Sequence, residues 1–263
     1  MADKVKTRRE GAVLHVINDN ARARNALSPD YYAGLTAALE QAGADTGIAA
    51  VVLSGAGGFF CAGGDLNALR TRAAMSVPER LQAIEGLHRV IRAIRACPRP
   101  VIAAVEGGAA GAGASLALSC DLIVAGEDAY FALSYLKIGL TPDGGATHAL
   151  LQALPRQMAS EILMLGDRLP VARLAALGLV NRVVAPGRVL AEASELAGRL
   201  AGLGPEALAS AKRLIGQAEE NDLETQLGLE AQAMAEAQGG DEAAEGIRAF
   251  LDKRRPDFRR FRE

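Results

Sequence analysis

The sequence predicts an α/β fold that ends in a helical C-terminal region. Strand-like and helix-like segments alternate over the first two thirds of the 263 residues, a pattern typical of a parallel sheet covered by helices. Two glycine-rich loops each follow a strand and lead towards a helix. From about Gly145 the pattern becomes helical. We therefore expect an α/β core over residues 1–200 and a helical region over residues 201–263.

The composition indicates a large core built from small aliphatic side chains. Half of the residues are hydrophobic, yet aromatic residues make up only 4% and tryptophan is absent. The net charge of −2 provides no field that would favour nucleic acid or an anionic membrane, so we expect neither as a partner. Residues 101–120 are long enough to span a membrane, but Glu106 interrupts them, and they are interpreted as a buried strand, loop and helix.

The cysteines and histidines do not predict a metal site. Cys61, Cys97 and Cys120 lack the spacing of metal ligands, and the three histidines are scattered. Three cysteines in apolar surroundings are typical of buried thiols in a reducing compartment. The first ten residues, MADKVKTRRE, have no apolar stretch of the kind found in secretory signals. We expect a cytoplasmic protein.

The first half of the chain contains two predicted strands and two predicted helices. Segments rich in Val and Ile predict strands at 12–18 and 48–55. Between them, Ser28 as the N-cap and Pro29 at the first helical position predict the start of a helix. Residues 77–97 carry apolar side chains at helical spacing, which predicts a long amphipathic helix.

Shorter elements are predicted in the second half. The segments VIAAV, LIVAG and AYFAL predict three short strands, and the last sixty residues contain three helical stretches that END and QGGDE separate. Alanine-rich helices with apolar stripes commonly cover a neighbouring element or a partner subunit. We expect that role for the C-terminal helices.

The two glycine-rich loops are GAGGFFCAGGDLNAL (55–69) and EGGAAGAGASLALSCD (106–121). Neither has the G-x-G-x-x-G spacing of a dinucleotide site or the G-K-[ST] of a P-loop. Two such turns can direct backbone N–H groups at one point, as a thioester oxygen requires when it becomes an enolate or a tetrahedral oxyanion. Ordinary tight turns packed against a sheet would give the same pattern, and composition does not separate the two interpretations.

Several motifs together resemble the crotonase superfamily, the enoyl-CoA hydratase/isomerase family. They include FCAGGDLNAL, the run from PVIAAVEGGAAGAGASLALSCD to GLTPDGG, and the closing FLDKRRPDF, so the resemblance covers most of the chain. The motifs are most similar to the branch with Δ3,Δ2-enoyl-CoA isomerases and the phenylacetate-pathway epoxide isomerase. The resemblance implies a spiral of ββα units, a helical C-terminal region that assembles a trimer or a dimer of trimers, and a coenzyme A thioester as substrate without a separate cofactor.

The resemblance also implies the residues of the site. The backbone N–H groups of Gly64 and Ala112 match the family's oxyanion hole. Contacts to coenzyme A are implied at five positions, namely Arg24, Asn25, Ala62, Phe250 and Lys253. Lys253 could equally belong to a solvated basic tail. Asp65 belongs to the family motif at the substrate site, although an aspartate before a helix is more often a cap than a base.

The sequence departs from the family's hydratases at two positions. Where those enzymes carry two glutamates that activate water, this chain has Ser115 and Tyr135. Neither is a carboxylate, and a tyrosine with a reference pKa of about 10 is protonated at neutral pH. We expect both side chains at the substrate site, where Tyr135 either donates a hydrogen bond to the substrate or only packs.

A double-bond isomerase needs a single carboxylate, which removes a proton from C2 and returns it to C4. In the family's isomerases that acid lies in the loop that matches TPDGG, which corresponds to Asp143. Asp143 could also be an ordinary turn residue after Pro142. Three hypotheses follow: an acyl-CoA isomerase with Asp143 as its acid and base, an enoyl-CoA hydratase with non-standard catalytic residues, and a non-catalytic acyl-CoA-binding subunit.

Overall fold

The computed structural model describes residues 5–262. Within that range the strands are β1 (Val5–Glu10), β2 (Val13–Asn18), β3 (Ala50–Gly55), β4 (Val101–Val105), β5 (Gly108–Ala110), β6 (Leu122–Gly126), β7 (Tyr130–Ala132), β8 (Leu169–Pro170) and β9 (Arg182–Val184). The helices are α1 (Pro29–Ala44), α2 (Leu66–Arg72), α3 (Val77–Ala96), α4 (Ala112–Leu118), α5 (Ala146–Ala153), α6 (Arg156–Leu165), α7 (Val171–Ala176), α8 (Val189–Leu200), α9 (Pro205–Ala218), α10 (Leu223–Gln238) and α11 (Asp241–Leu251).

A six-stranded sheet with the order β1-β2-β3-β4-β6-β9 forms the centre of the molecule. Only the β1–β2 hairpin at its edge is antiparallel; the remaining pairs are parallel. All five residues of β4 are buried, as expected for a central parallel strand covered on both faces. The predicted α/β class is confirmed.

The sheet separates two hydrophobic clusters. The larger cluster lies on the side of α1 and α3 and includes Leu35, Leu53 and Ile94. The smaller cluster packs Val52 and Ile102 against the apolar face of α8. Burying aliphatic side chains on both faces supplies the main driving force for folding of such a sheet.

A second sheet of three strands, in the order β5-β7-β8, carries the second glycine-rich loop. The strand β5 lies inside that loop and pairs in parallel with β7. Residues 101–120 therefore form β4, β5 and α4, in agreement with their interpretation as a buried strand, loop and helix. Within residues 5–262, no helix is both long enough and apolar enough to span a bilayer.

The sequence predicts most of the elements correctly. Ser28 accepts a hydrogen bond from the backbone N–H of Tyr31 and caps α1, and α3 spans Val77–Ala96. The three predicted C-terminal helices are α9, α10 and α11, with breaks where END and QGGDE occur. The strands β1, β5, β8 and β9 were not predicted. The division at residue 200 stays a prediction.

Candidate active site

The two glycine-rich loops lie side by side. The backbone N–H of Ala110 donates to the carbonyl of Cys61 at 2.9 Å, and the N–H of Cys61 donates to the carbonyl of Gly108 at 3.3 Å. Gly63 has φ of +90°, and a Cβ atom there would lie 2.6 Å from the carbonyl oxygen of Ala110 and 3.2 Å from the nitrogen of Ala112. Glycine is therefore required where the first loop touches the second.

Two backbone N–H groups, those of Gly64 and Ala112, are available in these loops. Neither donates a hydrogen bond to any group in the described part of the chain. Ala112 begins α4, and the N–H groups of a first helical turn have no intrahelical acceptor. Gly111 precedes it with φ of 49° and ψ of −128°. The structure thus brings the two predicted oxyanion-hole loops together, while the binding of a thioester oxygen by them stays a prediction.

Asp143 lies in a hydrogen-bonded cluster with the two residues at the hydratase positions. The hydroxyl of Tyr135 donates to Asp143 Oδ1 at 2.8 Å. The Oγ of Ser115 lies 2.8 Å from Tyr135 Oη and 3.0 Å from the backbone carbonyl oxygen of Asp143. Ser115 and Tyr135 are buried. The hydroxyl of Tyr135 thus bonds to Asp143, a partner that the sequence analysis did not name, and its contact with the substrate stays a prediction.

The surroundings of Asp143 favour its neutral form. Burial raises the pKa of its carboxyl group, while the hydrogen bond from Tyr135 and the electrostatic influence of His88 and Arg72 lower it. Burial also raises the pKa of Tyr135 well above its ordinary value, and the negative charge of Asp143 adds to that effect. Tyr135 is therefore a hydrogen-bond donor at neutral pH and cannot serve as a base.

Three residues near Asp143 were missed by the sequence analysis: Tyr32, Arg72 and His88. They come from α1, α2 and α3, far from Asp143 in the sequence. Burial, followed by the negative charge of Asp143, raises the pKa of Tyr32 to about 12. No motif marks these residues, because helices that are distant in sequence bring them to the site.

Cys61 packs in the site and does not act as a nucleophile. Its side chain is buried, and burial raises the pKa of the thiol to about 12. A thiol that stays protonated at neutral pH is unreactive. Within residues 5–262, no three His, Cys, Asp or Glu side chains are grouped to hold a metal ion.

The first three positions implied for coenzyme A lie together. The backbone N–H of Ala62 donates to the carbonyl of Arg24 at 2.9 Å, and the guanidinium of Arg24 lies 5.8 Å from the ring centroid of Phe59. The Asn25 side chain is fully buried, where it accepts from the N–H of Asn20 at 3.0 Å and donates to the carbonyl of Ala56 at 2.8 Å. That side chain holds the loop, and contact of Asn25 with coenzyme A stays a prediction.

The remaining candidates lie at a helix start and at the C-terminus. The Asp65 carboxylate accepts from the N–H of Asn67 at 2.8 Å and caps α2, so its contact with substrate stays a prediction. Phe250 on α11 is 84% exposed. Lys253 follows that helix with φ of +53°. Their contact with coenzyme A also stays a prediction.

A groove of about 1790 Å³ lies between the core and the C-terminal helices. Its lining includes Ser115 and His148, but neither Gly64 nor Ala112. The predicted donors to a thioester oxygen, the N–H groups of Gly64 and Ala112, therefore lie outside this groove. We locate the candidate site by the backbone donors and Asp143 instead.

Comparisons with known proteins show the family and the fold of this chain. The family model described as "Enoyl-CoA hydratase/isomerase" matches residues 8–261. The 2,3-dehydroadipyl-CoA hydratase of Escherichia coli K12 is 36% identical, over 98% of this chain and 99% of the relative. The 1,2-epoxyphenylacetyl-CoA isomerase of the same organism is 34% identical, over 95% of each chain. The crystal structure of an enoyl-CoA hydratase from Polaromonas sp. JS666 has a TM-score of 0.94 at 46% identity, over 96% of this chain and 98% of that one. The predicted crotonase fold is confirmed.

Proposed function

The chain belongs to the enoyl-CoA hydratase/isomerase family, and from that premise we propose that it is an acyl-CoA isomerase, which shifts a double bond or rearranges a ring epoxide next to the thioester. The observation that carries the proposal is the hydrogen bond of 2.8 Å from Tyr135 to Asp143. It places the carboxylate of Asp143 beside Ser115 and Tyr135, the two residues that replace the hydratase glutamates.

In the proposed reaction, the N–H groups of Gly64 and Ala112 bind the thioester oxygen of a 3-enoyl-CoA. Asp143 removes a proton from C2, and the electron pair of that C–H bond passes into a dienolate whose negative charge rests on the bound oxygen. Asp143 then returns the proton to C4, so the double bond moves from C3–C4 to C2–C3. No atom is gained or lost, and the reaction requires no cofactor.

The environment of Asp143 supports a role as both base and acid. A group that takes up a proton and returns it works best when its pKa approaches the working pH. Burial shifts the pKa of Asp143 in that direction. The raised pKa also argues against Asp143 as an ordinary turn residue, because an aspartate in an exposed turn is not buried and its pKa is not raised in this way.

A hydratase is the second candidate, since the Escherichia coli relative at 36% identity is a 2,3-dehydroadipyl-CoA hydratase. Hydration requires groups that hold and activate a water molecule. Here the Ser115 and Tyr135 hydroxyls are bonded to each other and to Asp143. Asp143 would have to activate the water alone, which makes efficient hydration the weaker proposal.

We further propose that the substrate's coenzyme A lies along Arg24 and Ala62, and that the chain assembles as a homotrimer or a dimer of trimers. The C-terminal helices expose an unusual number of large apolar side chains: Ile215, Leu223, Leu227, Met234, Ile247, Phe250 and Leu251. Exposed apolar surface of this kind marks an interface between subunits. In such an assembly Phe250 and Lys253 would reach the adenine of a coenzyme A molecule.

The test compares two substrates with the wild-type protein and Asp143→Asn. Purified protein receives trans-3-hexenoyl-CoA or trans-2-hexenoyl-CoA, and the absorbance of the conjugated thioester is followed. The proposal expects the 3-enoyl substrate to gain absorbance with the wild type and at least a hundredfold more slowly with the variant. Loss of absorbance from the 2-enoyl substrate that survives Asp143→Asn would establish a hydratase instead. Binding of both substrates without turnover would favour the non-catalytic subunit.

A further inference from the structure

The geometry around Asp143 points to a second role in the site: we infer that Tyr135 is a positioning residue that occupies Asp143 Oδ1 and leaves Oδ2 as the oxygen that exchanges a proton with the substrate. Ser115 holds Tyr135 in that position. The inference rests on the proposed function, because it assumes that Asp143 is the acid and base of the reaction.

Three contacts form a closed ring of hydrogen-bonding groups. Tyr135 Oη lies 2.8 Å from Asp143 Oδ1, Ser115 Oγ lies 2.8 Å from Tyr135 Oη, and Ser115 Oγ lies 3.0 Å from the backbone oxygen of Asp143. Ser115 is 1% exposed and Tyr135 is 7% exposed. The ring therefore contacts Asp143 through both its side chain and its backbone, and the two hydroxyls that do so are buried.

The hydroxyl hydrogens of Tyr135 and Ser115 determine which groups in this ring donate and which accept. When Asp143 is ionised, its two ring oxygens can only accept, so both hydrogens come from the hydroxyls of Tyr135 and Ser115. The Tyr135 hydrogen goes to Asp143 Oδ1, because a hydrogen bond to a carboxylate is stronger than one to a neutral oxygen. The Ser115 hydrogen goes to Tyr135 Oη or to the backbone oxygen of Asp143. Both hydroxyls thus support the ionised acid.

The second carboxylate oxygen has no such partner. Asp143 Oδ2 accepts no hydrogen bond from residues 5–262. A carboxylate with one oxygen bound and one free presents a single basic atom in one orientation. Because the Tyr135 ring is buried and its hydroxyl is held by Ser115, Asp143 cannot rotate freely to exchange its two oxygens.

The loop backbone adds to this rigidity. Gly144 has φ of +61°, and a Cβ atom there would lie 2.9 Å from Ser115 Cβ and 3.1 Å from Leu87 Cδ2. The backbone next to Asp143 is therefore packed directly on α4 and α3. A residue with a side chain at this position would push the loop off Ser115 and break the ring.

This arrangement has a consequence for the proton that moves from C2 to C4. A proton taken up by a fixed Oδ2 stays beside the substrate, since rotation of the carboxyl group towards other acceptors would break the bond to Tyr135. The same proton is then returned to C4. Without the Tyr135 hydroxyl, the carboxyl group rotates and its proton exchanges with solvent more readily.

The experiment uses Tyr135→Phe, which retains the ring and removes the hydroxyl, with Tyr31→Phe as the control for removal of another buried tyrosine hydroxyl. The substrate is trans-3-hexenoyl-CoA carrying deuterium at C2. We expect kcat to fall about tenfold in Tyr135→Phe, the size of effect that loss of one hydrogen bond to a charged group gives, with KM changed less than twofold. We also expect less of the deuterium to appear at C4.

The pH profile gives an independent readout. The bond from Tyr135 lowers the pKa of Asp143, so its removal raises that pKa, and the acidic limb of kcat/KM moves to higher pH. Ser115→Ala should change the deuterium transfer and the acidic limb in the same directions by a smaller amount, and it tests the inference even if Tyr135→Phe does not fold. Tyr31→Phe should leave both unchanged.

The outcomes separate the inference from the proposed function. If Asp143→Asn still isomerises the substrate, the proposed function fails. If Asp143→Asn is inactive while Tyr135→Phe and Ser115→Ala keep the wild-type pH profile and deuterium transfer, the positioning role is overturned and the proposed function stands. A lower kcat in Tyr135→Phe with neither readout changed would also overturn it, because that pattern indicates a merely structural role.

Discussion

Lys212 Nζ lies 2.7 Å from Asp121 Oδ2, and this ion pair joins the C-terminal helix α9 to the residue that precedes β6. The Lys212 side chain is only 9% exposed. It also donates to the backbone oxygens of Ile94 and Arg99, at 2.9 and 3.1 Å. Asp121 accepts in addition from the N–H of Val101 at 2.7 Å. One buried ammonium group thus connects the C-terminal region to three segments of the core.

We expect Lys212→Met to lower the free energy of unfolding by about 2–3 kcal/mol, because it removes one partner of a largely buried pair and leaves two carbonyl groups without their donor. Urea titration followed by circular dichroism measures the change. Lys137→Met is the matched control, since the ion pair of Lys137 with Asp167 is exposed and should be worth less than about 1 kcal/mol. Equal effects of the two substitutions would contradict the prediction.

The close contact between Gly113 and Cys61 gives a second prediction. A Cβ atom at Gly113 would lie 2.5 Å from the Cys61 carbonyl oxygen and 2.7 Å from its Sγ. We expect Gly113→Ala to lower the free energy of unfolding by about 2 kcal/mol, because α4 must move away from the first loop. The movement also separates the N–H groups of Gly64 and Ala112, so the rate of the proposed isomerisation should fall.

Gly198→Ala provides the control for this substitution. Gly198 lies within α8, and a Cβ atom there would meet nothing within 4 Å. Alanine at this position should raise the free energy of unfolding by about 0.5–1 kcal/mol, because alanine is the better helix former. Thermal denaturation of both variants compares them directly, and a stable, fully active Gly113→Ala would refute the argument from close packing.

The fold could be predicted from the sequence wherever local chemistry specified it. Ser28 and Pro29 are a strong start signal for a helix, and α1 begins there. The strand β1 was missed because VKTRRE is almost entirely polar and lies at the edge of the sheet, where five of its six residues are exposed. β1 pairs with β2 through backbone hydrogen bonds, which leave no hydrophobic pattern in the sequence of β1.

The residues of the candidate site also fall into two groups, those that could be named from the sequence and those that could not. Gly64, Ala112 and Asp143 could be named because the motifs of their loops resemble those of a known family, which assigns them roles that the loop composition alone leaves open. The contact between Tyr135 and Asp143 could not be predicted, since it depends on how the turn at 134–138 packs beside α4. Arg72 and His88 were missed for a similar reason, because helices α2 and α3 bring them near Asp143 without any motif.

The buried His15 predicts a pH dependence of stability. Its side chain is 1% exposed, and its nearest charged neighbour is Glu10, with Nε2 of His15 3.3 Å from Oε2 of the carboxylate. Burial lowers the pKa of His15 below the ordinary value of 6.5, with Arg8 acting in the same direction and Glu10 opposing it. Below pH 6.5 the unfolded chain therefore binds more protons at this residue than the folded chain does.

It follows that the contribution of His15 to stability is constant above about pH 7 and is lost as the pH falls through 6.5 towards the lower folded pKa. His15→Leu removes this titration. Urea titrations at pH 7.5 and 5.5 should show a smaller loss of stability in the variant than in the wild type. The same loss in both proteins would show that carboxyl groups elsewhere account for the whole effect.

Ala112→Pro tests the oxyanion hole through the backbone alone. Proline is well tolerated at the first position of a helix, where Ala112 lies, and its ring replaces the hydrogen of the N–H group. We expect kcat to fall about a hundredfold or more, while the free energy of unfolding changes by less than about 1 kcal/mol. Steady-state kinetics with trans-3-hexenoyl-CoA measure kcat, and a urea titration measures the free energy of unfolding. Wild-type kcat in a folded variant would exclude Ala112 as a donor.

The last prediction concerns Phe250, whose large apolar side chain is 84% exposed and is therefore hardly packed within its own chain. If the ring binds the adenine of coenzyme A in an assembled trimer, Phe250→Ala should raise KM by about threefold to tenfold, the range that loss of one aromatic contact gives. Because the adenine of coenzyme A is far from the thioester in the covalent structure of the substrate, kcat should stay within twofold. Leu251→Ala, at the neighbouring position that is 73% exposed, separates this effect from a weaker assembly. Sedimentation measures the assembly of both variants, and a rise in KM that follows loss of the oligomer in either one would assign Phe250 to the subunit interface instead of the ligand.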